Sequence, residues 1–178
     1  IPAATGLVLV AEPTVELIFG DNYLGAVPVL RILAALVVLQ SITKLTSHGL
    51  DYLGRARSRA IVKAMAAISN IFLNILLIPV YDVVGAAVAT VLTFSFYTFA
   101  NLWIMHSELN LKFNRLLKII RNAVVVTAIM SVAVIPTVQY VTGFLTLFAV
   151  VGLGGSVWLI FSILFGLINI EEIYSMLS

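Results

Sequence analysis

Residues 54–105 read GRARSRAIVKAMAAISNIFLNILLIPVYDVVGAAVATVLTFSFYTFANLWIM. This segment contains a basic link and then two apolar stretches, 61–78 and 83–105, with a very short loop between them. A transmembrane helix needs about 20 predominantly apolar residues to cross a hydrocarbon layer of roughly 30 Å. The segment therefore predicts two successive transmembrane helices, the first of which we expect to end at Pro79, because proline discourages continuation of a helix.

Long apolar stretches also fill the remainder of the chain. Complete spans are predicted at 26–53, 123–140 and 145–168, and residues 1–11 are expected to be the tail of a span whose beginning is missing. The chain is 62% hydrophobic and 10% charged, whereas an average soluble domain carries about 25% charged residues. The sequence thus predicts an all-α, polytopic membrane helix bundle with five complete transmembrane helices plus the tail of a truncated one.

The positive residues indicate how the helices are oriented. Eight of the ten Lys and Arg residues lie in two links between spans, 54–63 and 106–121. Positive residues in short loops mark the cytoplasmic side of a membrane protein, and two spans separate the links, so both fall on the same side. We therefore predict a multi-pass protein of the cell membrane with both links and the C-terminus in the cytoplasm. Attraction of the same cations to anionic membrane lipids is the alternative explanation.

Three regions follow from this organisation. Residues 1–24 contain the end of the truncated span and a short interfacial helix. Residues 25–106 contain three spans, and residues 107–178 contain an inner amphipathic link and the final two transmembrane helices. Because the basic residues flank spans and form no separate basic surface, no nucleic-acid partner is expected.

Ionisable and polar residues concentrate in the first complete span. Five of them recur at i, i+4, i+7, i+8 and i+11, which places them along one helical face: Gln40, Lys44, Ser47, His48 and Asp51. A charge near the centre of a span costs about 2.5–3.5 kcal/mol, so each one needs a physical reason. One reading is a wetted cavity wall, with Lys44 facing an anionic substrate group and His48 and Asp51 forming a titratable pair.

The alternative reading gives the same residues ordinary roles. Asp51 would lie at the inner interface, His48 would hydrogen-bond a neighbouring helix, and Lys44 would extend its side chain toward the interface. Arg31, close to the outer end of the span, is either an interfacial anchor or a substrate contact at the outer mouth. The cavity candidates are Lys44, His48, Gln40, Asp51 and Arg31.

The second and third spans carry uncharged polar candidates. Asn70 and Asn74 are one turn apart on the second span, and Tyr97 and Asn101 are one turn apart on the third. Such groups bond one helix to another more often than they contact a substrate. The chain has no Cys and only two His residues, so it offers little for a metal site. No catalytic residue, metal or cofactor is predicted, and the protein is expected not to be an enzyme.

Several short strings occur in order along the chain: AEPTVELIFG at 11–20, PVLRIL at 28–33, LGRAR at 53–57, IPVY at 78–81 and GAAVA at 85–89. Together they resemble the C-terminal region of polysaccharide and oligosaccharide flippases of the multidrug/oligosaccharidyl-lipid/polysaccharide exporter superfamily. Asp82 departs from the pattern, because relatives tend to have Gly at this position.

The resemblance implies a transporter of 12 to 14 spans in two lobes around a central cavity. Residues 25–106 would be the three-helix part of the C-terminal lobe, and the N-terminal lobe of the same protein is missing. The implied substrate is a polyprenyl-diphosphate-linked oligosaccharide or polysaccharide precursor, flipped across the membrane by alternating access. In related lipid-linked precursor flippases an extra helix pair forms a hydrophobic groove for the lipid tail. Residues 123–168 would do so here by analogy, and ordinary lipid-facing spans are the alternative.

Two rival functions stay open at this stage. A drug or cation exporter of the same superfamily would favour an acidic residue deep in a span. A membrane-embedded glycan-processing enzyme would need a large extracytoplasmic loop that carries acids or His. The sequence shows neither feature, so translocation of a lipid-linked glycan is the predicted function.

Overall fold

A computed structural model describes residues 1–109 and 113–167, except for the side chains of 113–116. This described chain is helical and contains no strand. Its elements are α1 (Pro2–Leu9), α2 (Ala11–Phe19), a 3-10 turn (Asp21–Ala26), α3 (Val27–Tyr52), α4 (Ala56–Leu109), α5 (Phe113–Val138) and α6 (Phe144–Leu164). The C-terminus, which we expect in the cytoplasm, lies outside the described residues.

Large apolar side chains cover the helix surfaces. Leu45, Trp103 and Leu145 are 76, 77 and 86% exposed, and many further aliphatic and aromatic side chains are open in the same way. Soluble monomers rarely expose apolar patches beyond a few hundred Å², and lipid is the solvent that tolerates such a surface. Helices α3 to α6 are each long and apolar enough to cross a membrane. The predicted all-α, polytopic membrane bundle is confirmed.

Helix α4 is a hairpin of two helices. Its 54 residues would extend for about 80 Å at 1.5 Å per residue, far beyond the thickness of a bilayer core. The backbone breaks at Asp82, where φ is 49° and ψ is −133°, and this break separates a first arm (56–81) from a second arm (83–109). Asn70 Nδ2 donates a hydrogen bond to Thr93 Oγ1 at 3.1 Å across the break, so the arms run antiparallel. The five complete spans are α3, the two arms, α5 and α6.

The tip of this hairpin differs from the sequence expectation. The first arm continues through Pro79 to the break at Asp82. Pro79 removes the hydrogen bond to the Ile75 carbonyl, but its own φ is fixed in the helical range, so the helix survives for one more turn. Just beyond the break the arms approach so closely that a Cβ on Gly85 would contact the backbone carbonyl of Leu77. The glycine is therefore required for the hairpin to close.

Helix α3 packs in parallel against the second arm of α4. Thr43 and Thr98 share a hydrogen bond of 2.8 Å. Further along, a Cβ on Gly49 would lie 2.8 Å from the Met105 methyl carbon. The contact partners on both helices therefore have increasing residue numbers in the same direction, so α3 and the second arm are parallel. The described part of residues 25–111, which includes these three helices, forms one compact unit.

Helices α1, α2, α5 and α6 form a second compact unit, made of residues 1–24 and the described part of 112–178. The α1 and α2 axes differ by 60°. Pro13 accounts for this bend, because it offers no N–H to the Leu9 carbonyl and its ring crowds that group. Val10 at the bend belongs to a core shared with α5 and α6, which also contains Met130, Val134, Leu147 and Val150.

Asp82 generates a test of the hairpin tip. Among the described residues other than glycine, Asp82 alone has a positive φ. Strained backbone of this kind costs about 1–3 kcal/mol. We expect Asp82→Gly to raise the free energy of unfolding of the intact protein by about 1 kcal/mol, because glycine adopts positive φ freely. Thermal unfolding in detergent would measure the change.

Asp82→Ala is the matched control for that experiment. It removes the same carboxylate but keeps a Cβ and therefore keeps the strain. Equal stabilisation by the Gly and Ala substitutions would show that charge, and not backbone conformation, limits stability at the tip.

Candidate functional site

The polar residues of α3 form an exposed stripe, here called the α3 stripe: Gln40, Lys44, His48 and Asp51. All four side chains are exposed, whereas Ser47 of the same predicted face is buried. The buried side of α3 is made of Ala34, Thr43, Thr46, Ser47 and Leu50, together with Val27 at the start of the helix. The structure thus brings four of the five predicted residues to one uncovered face of the helix.

Lys44 lies well inside the span. It is eight residues from the helix end at Tyr52, which corresponds to about 12 Å at 1.5 Å per residue. Its side chain forms no hydrogen bond or ion pair with any residue in the described part of the chain. The neighbouring Leu45 is 76% exposed. A cation at this depth has no counter-ion within the described chain, so any counter-ion comes from outside it.

Asp51 belongs to a pair of ion contacts at the end of the three-helix unit. The Asp51 carboxylate lies 3.0 Å from the Arg59 guanidinium, and the Glu108 carboxylate lies 2.7 Å from that of Arg55. These contacts attach the first basic link to the ends of α3 and α4. No ion pair joins Asp51 to His48 in the described chain. Asp51 therefore has the interfacial partner that the alternative reading expects.

Arg31 is exposed but lies apart from the α3 stripe. It precedes Lys44 by 13 residues, which corresponds to about 20 Å along the axis and about 140° around it. A single phosphate group is too small to contact both side chains at the same time. Arg31 and Lys44 would therefore contact different parts of any shared ligand.

The polar residues of α4 connect its two arms. Asn74 Nδ2 donates to Asn70 Oδ1 at 2.9 Å, and Asn70 Nδ2 donates to Thr93 Oγ1 at 3.1 Å. Tyr97 is only 7% exposed and Asn101 is fully buried. Asn70 thus bonds one arm to the other, whereas Asn74 bonds within the first arm. Asn101 differs from them, because neither atom of its amide group has a hydrogen-bond partner among the described residues.

An apolar groove of about 600 Å³ lies between α1, α5 and α6, and we call it the α1/α5/α6 groove. Its lining includes Gly6, Val10, Met130, Gly155 and Trp158. The two glycines keep it open, since no atom lies within 4 Å of the position that a Cβ would take on either of them. By analogy, the sequence suggested a groove at residues 123–168 alone, with ordinary lipid-facing spans as the alternative. The wall that α1 contributes was not predicted, although small residues on both walls were an available signal.

These features define a polytopic α-helical membrane protein with a polar face on one span and an apolar groove between others. In the described residues no group of three or more His, Asp or Glu side chains is suited to a metal ion. The comparison with known proteins bears on what these features do.

The chain is similar to the probable low-salt glycan biosynthesis flippase Agl15 of Haloferax volcanii. The two are 32% identical over 113 residues, which cover 64% of this chain and 24% of the flippase. It is also similar to the uncharacterized membrane protein MJ1068 of Methanocaldococcus jannaschii, with 28% identity over 103 residues that cover 57% of this chain and 20% of that protein. No protein-family model and no solved structure matches the chain.

The resemblance to glycan flippases that the sequence strings predicted is therefore confirmed. The chain matches about a quarter of the length of the Haloferax protein (24%) and a fifth of the length of the Methanocaldococcus protein (20%).

The unpartnered amide of Asn101 generates a test of the α4 interior. A buried polar group without a partner costs about 1–3 kcal/mol. We expect Asn101→Leu, which keeps a similar volume, to raise the free energy of unfolding of the intact protein by about 1 kcal/mol. Chemical or thermal unfolding in detergent would measure the difference.

Thr98→Val is the matched control, one turn away on the same arm. It is nearly isosteric and breaks the 2.8 Å hydrogen bond with Thr43, so it should lower stability by about 0.6 kcal/mol, the average for such bonds in membranes. A loss of stability in Asn101→Leu would mean that the amide has a partner beyond the described residues.

Proposed function

We propose that this chain is the C-terminal part of a transporter that flips a lipid-linked oligosaccharide or polysaccharide precursor across the cell membrane by alternating access. The observation that carries the proposal is the α3 stripe, an exposed polar face on a helix whose surroundings are apolar. The similarity to a probable glycan biosynthesis flippase supports it. In the proposed orientation the basic links 54–63 and 106–121 and the C-terminus face the cytoplasm, as the positive-inside rule expects.

The α3 stripe requires a polar environment inside the membrane. Polar and ionisable side chains in a span face the bundle interior or a water-filled cavity almost without exception. Within the described chain the stripe is uncovered, and the chain spans 24% of the length of its flippase relative. We therefore infer that the stripe lines a central cavity between this lobe and an N-terminal lobe of the same protein.

Lys44 is the residue we assign to the anionic part of the substrate. A polyprenyl-diphosphate-linked glycan has a diphosphate between a very apolar tail and a polar saccharide. The Lys44 ammonium provides three hydrogen-bond donors and a positive charge for such a group. Gln40 and His48, one turn away on either side, offer neutral or titratable polar contacts to the saccharide. Arg31, near the start of α3, is suited to contact the substrate near the other mouth of the cavity.

The α1/α5/α6 groove supplies a place for the polyprenyl tail. Its volume of about 600 Å³ and its apolar lining fit several isoprene units, and it lies between helices that are themselves in contact with lipid. A flippase needs such a surface because the tail stays in hydrocarbon while the head group crosses.

The rival functions receive less support from the geometry. A drug or cation exporter would use a carboxylate within the membrane, but Asp51 lies at the end of α3 and is paired with Arg59. A glycan-processing enzyme would need a substantial loop, whereas the connection at the α4 tip is the single break at Asp82. Transport is therefore the function we propose.

Lys44 is the first residue to test. We expect Lys44→Ala in the full-length protein to lower the flipping rate of a lipid-linked saccharide in proteoliposomes about tenfold or more, because a charge-assisted hydrogen bond contributes about 1.5–3 kcal/mol. Membrane insertion should be unchanged. Leu45→Ala is the control, since it removes an exposed neighbouring side chain, and Lys44→Arg should retain part of the activity. Unchanged flipping in Lys44→Ala would refute the assigned role.

The groove can be filled without disturbing its walls. A leucine at residue 155 would project into open groove space, so we expect Gly155→Leu to leave stability nearly unchanged but to raise the KM for the lipid-linked substrate several-fold through lost tail contacts. Gly152→Leu is the matched control, because residue 152 also has open space around its Cβ position but does not line the groove. If both substitutions raised the KM equally, the groove would have no specific role in binding the lipid tail.

A further inference from the structure

A second, smaller cleft of about 260 Å³ lies between the two arms of α4, and we call it the α4 cleft. Its lining includes Lys63, Ala66, Ala67, Asn70, Thr93 and Tyr97. The alanines leave space that longer side chains would fill. The cleft is separate from the α3 stripe, and neither Lys63 nor Tyr97 has a role in the proposed transport mechanism.

Most of the polar groups in this cleft have partners inside the protein. Asn70 Nδ2 donates to Thr93 Oγ1 at 3.1 Å, and Thr93 Oγ1 donates to the Ala89 carbonyl at 2.9 Å. Thr90, which also lines the cleft, donates to the Ala86 carbonyl at 2.8 Å. The deeper half of the cleft is thus satisfied and offers a ligand few free polar atoms.

Lys63 and Tyr97 are the exceptions. Tyr97 is only 7% exposed and packs edge-on against Phe94 with ring centroids 6.0 Å apart. Neither the Tyr97 hydroxyl nor the Lys63 ammonium has a hydrogen bond or ion pair within the described residues. A buried tyrosine normally finds a partner for its hydroxyl. Lys63 and Tyr97 are thus the two side chains of the cleft lining whose hydrogen-bond donors have no partner among the described residues.

The nearby carboxylates do not neutralise Lys63. Asp51 is held 3.0 Å from Arg59, and Glu108 is held 2.7 Å from Arg55. These two carboxylates thus form their ion pairs with arginines of the first basic link. Lys63, about one turn beyond Arg59, has no ion pair within the described residues.

The position of Lys63 fits a lipid head group. Lys63 is seven residues from the start of α4 at Ala56, or about 10 Å along the helix, so a lysine side chain reaches the level of lipid phosphates by snorkelling. Met65 and Ile68, which follow Lys63 on the same arm, are 52 and 69% exposed, as expected of a lipid-facing surface. Basic pockets between transmembrane helices on the cytoplasmic side are known to bind anionic lipid head groups.

We propose that Lys63 and Tyr97 bind the phosphate of a membrane lipid in the leaflet on the side of the first basic link, with an acyl chain lying along Ala66 and Ala67. The lysine supplies the charge and the tyrosine hydroxyl donates a second hydrogen bond. This site goes beyond the proposed transport function and does not depend on it.

Native mass spectrometry of the delipidated full-length protein tests the site. We expect dioleoylphosphatidylglycerol to be retained in preference to dioleoylphosphatidylcholine. Lys63→Gln should weaken that retention about tenfold, which corresponds to the loss of one charge-assisted contact, and Tyr97→Phe should weaken it a few-fold while preserving the packing of the ring. Arg57→Gln is the matched control, because it removes a positive charge from the link but not from the cleft, and it should have no effect.

Further arms of the same experiment identify the source of the phosphate. Retention of a polyprenyl phosphate that depends on Lys63 would support a lipid phosphate site. Complete competition by inorganic phosphate would overturn it, because the ligand would then be a free anion. Equal retention of both phospholipids, or no effect of Lys63→Gln on lipid with a drop in melting temperature, would also overturn it. The latter result would indicate that an acidic side chain elsewhere in the protein pairs with Lys63.

Discussion

Hydrocarbon cannot hydrogen-bond, and this constraint determines the rest of the structure. A polar group without a partner in the membrane costs several kcal/mol, so the backbone folds into helices and the hydroxyl side chains bond back to it. Ser41, Thr90 and Thr127 each donate to the carbonyl four residues earlier, at 2.7–2.8 Å. Against this satisfied background, the few polar groups that lack a partner become informative.

Polar groups in three places of the described chain have different meanings. The α3 stripe is uncovered and extends over more than two helical turns, and we propose that it is a cavity wall. Lys63 and Tyr97 share one small cleft, which is the pattern of a local ligand site. Asn101 is fully buried, and no ligand reaches it, so its amide is a cost to stability in this structure. Burial and grouping, rather than polarity alone, distinguish these cases.

The α4 hairpin shows how one backbone position organises a bundle. The break at Asp82 reverses the chain within one residue, and Gly85 permits the contact that brings the arms together. That close approach places Asn70 beside Thr93 and creates the α4 cleft between the arms. The second arm then presents Thr98 to α3, which holds α3 in parallel register and turns the α3 stripe away from the packed interface. The Thr43–Thr98 hydrogen bond on the packed side of α3 is therefore consistent with the exposure of the stripe.

The sequence by itself determined the membrane class, the five complete spans and the polar periodicity of α3, because hydrophobic length and helical repeat are properties of about 20 consecutive residues. The boundaries of α3 were predicted within a residue or two for the same reason. The tertiary structure decided the remainder. In the structure the hairpin breaks at Asp82 and not at Pro79, and Asp51 forms an ion pair with Arg59. Helix α1 lines the groove together with α5 and α6. These outcomes depend on contacts between residues distant along the chain, and local periodicity contains no information about which distant surfaces meet.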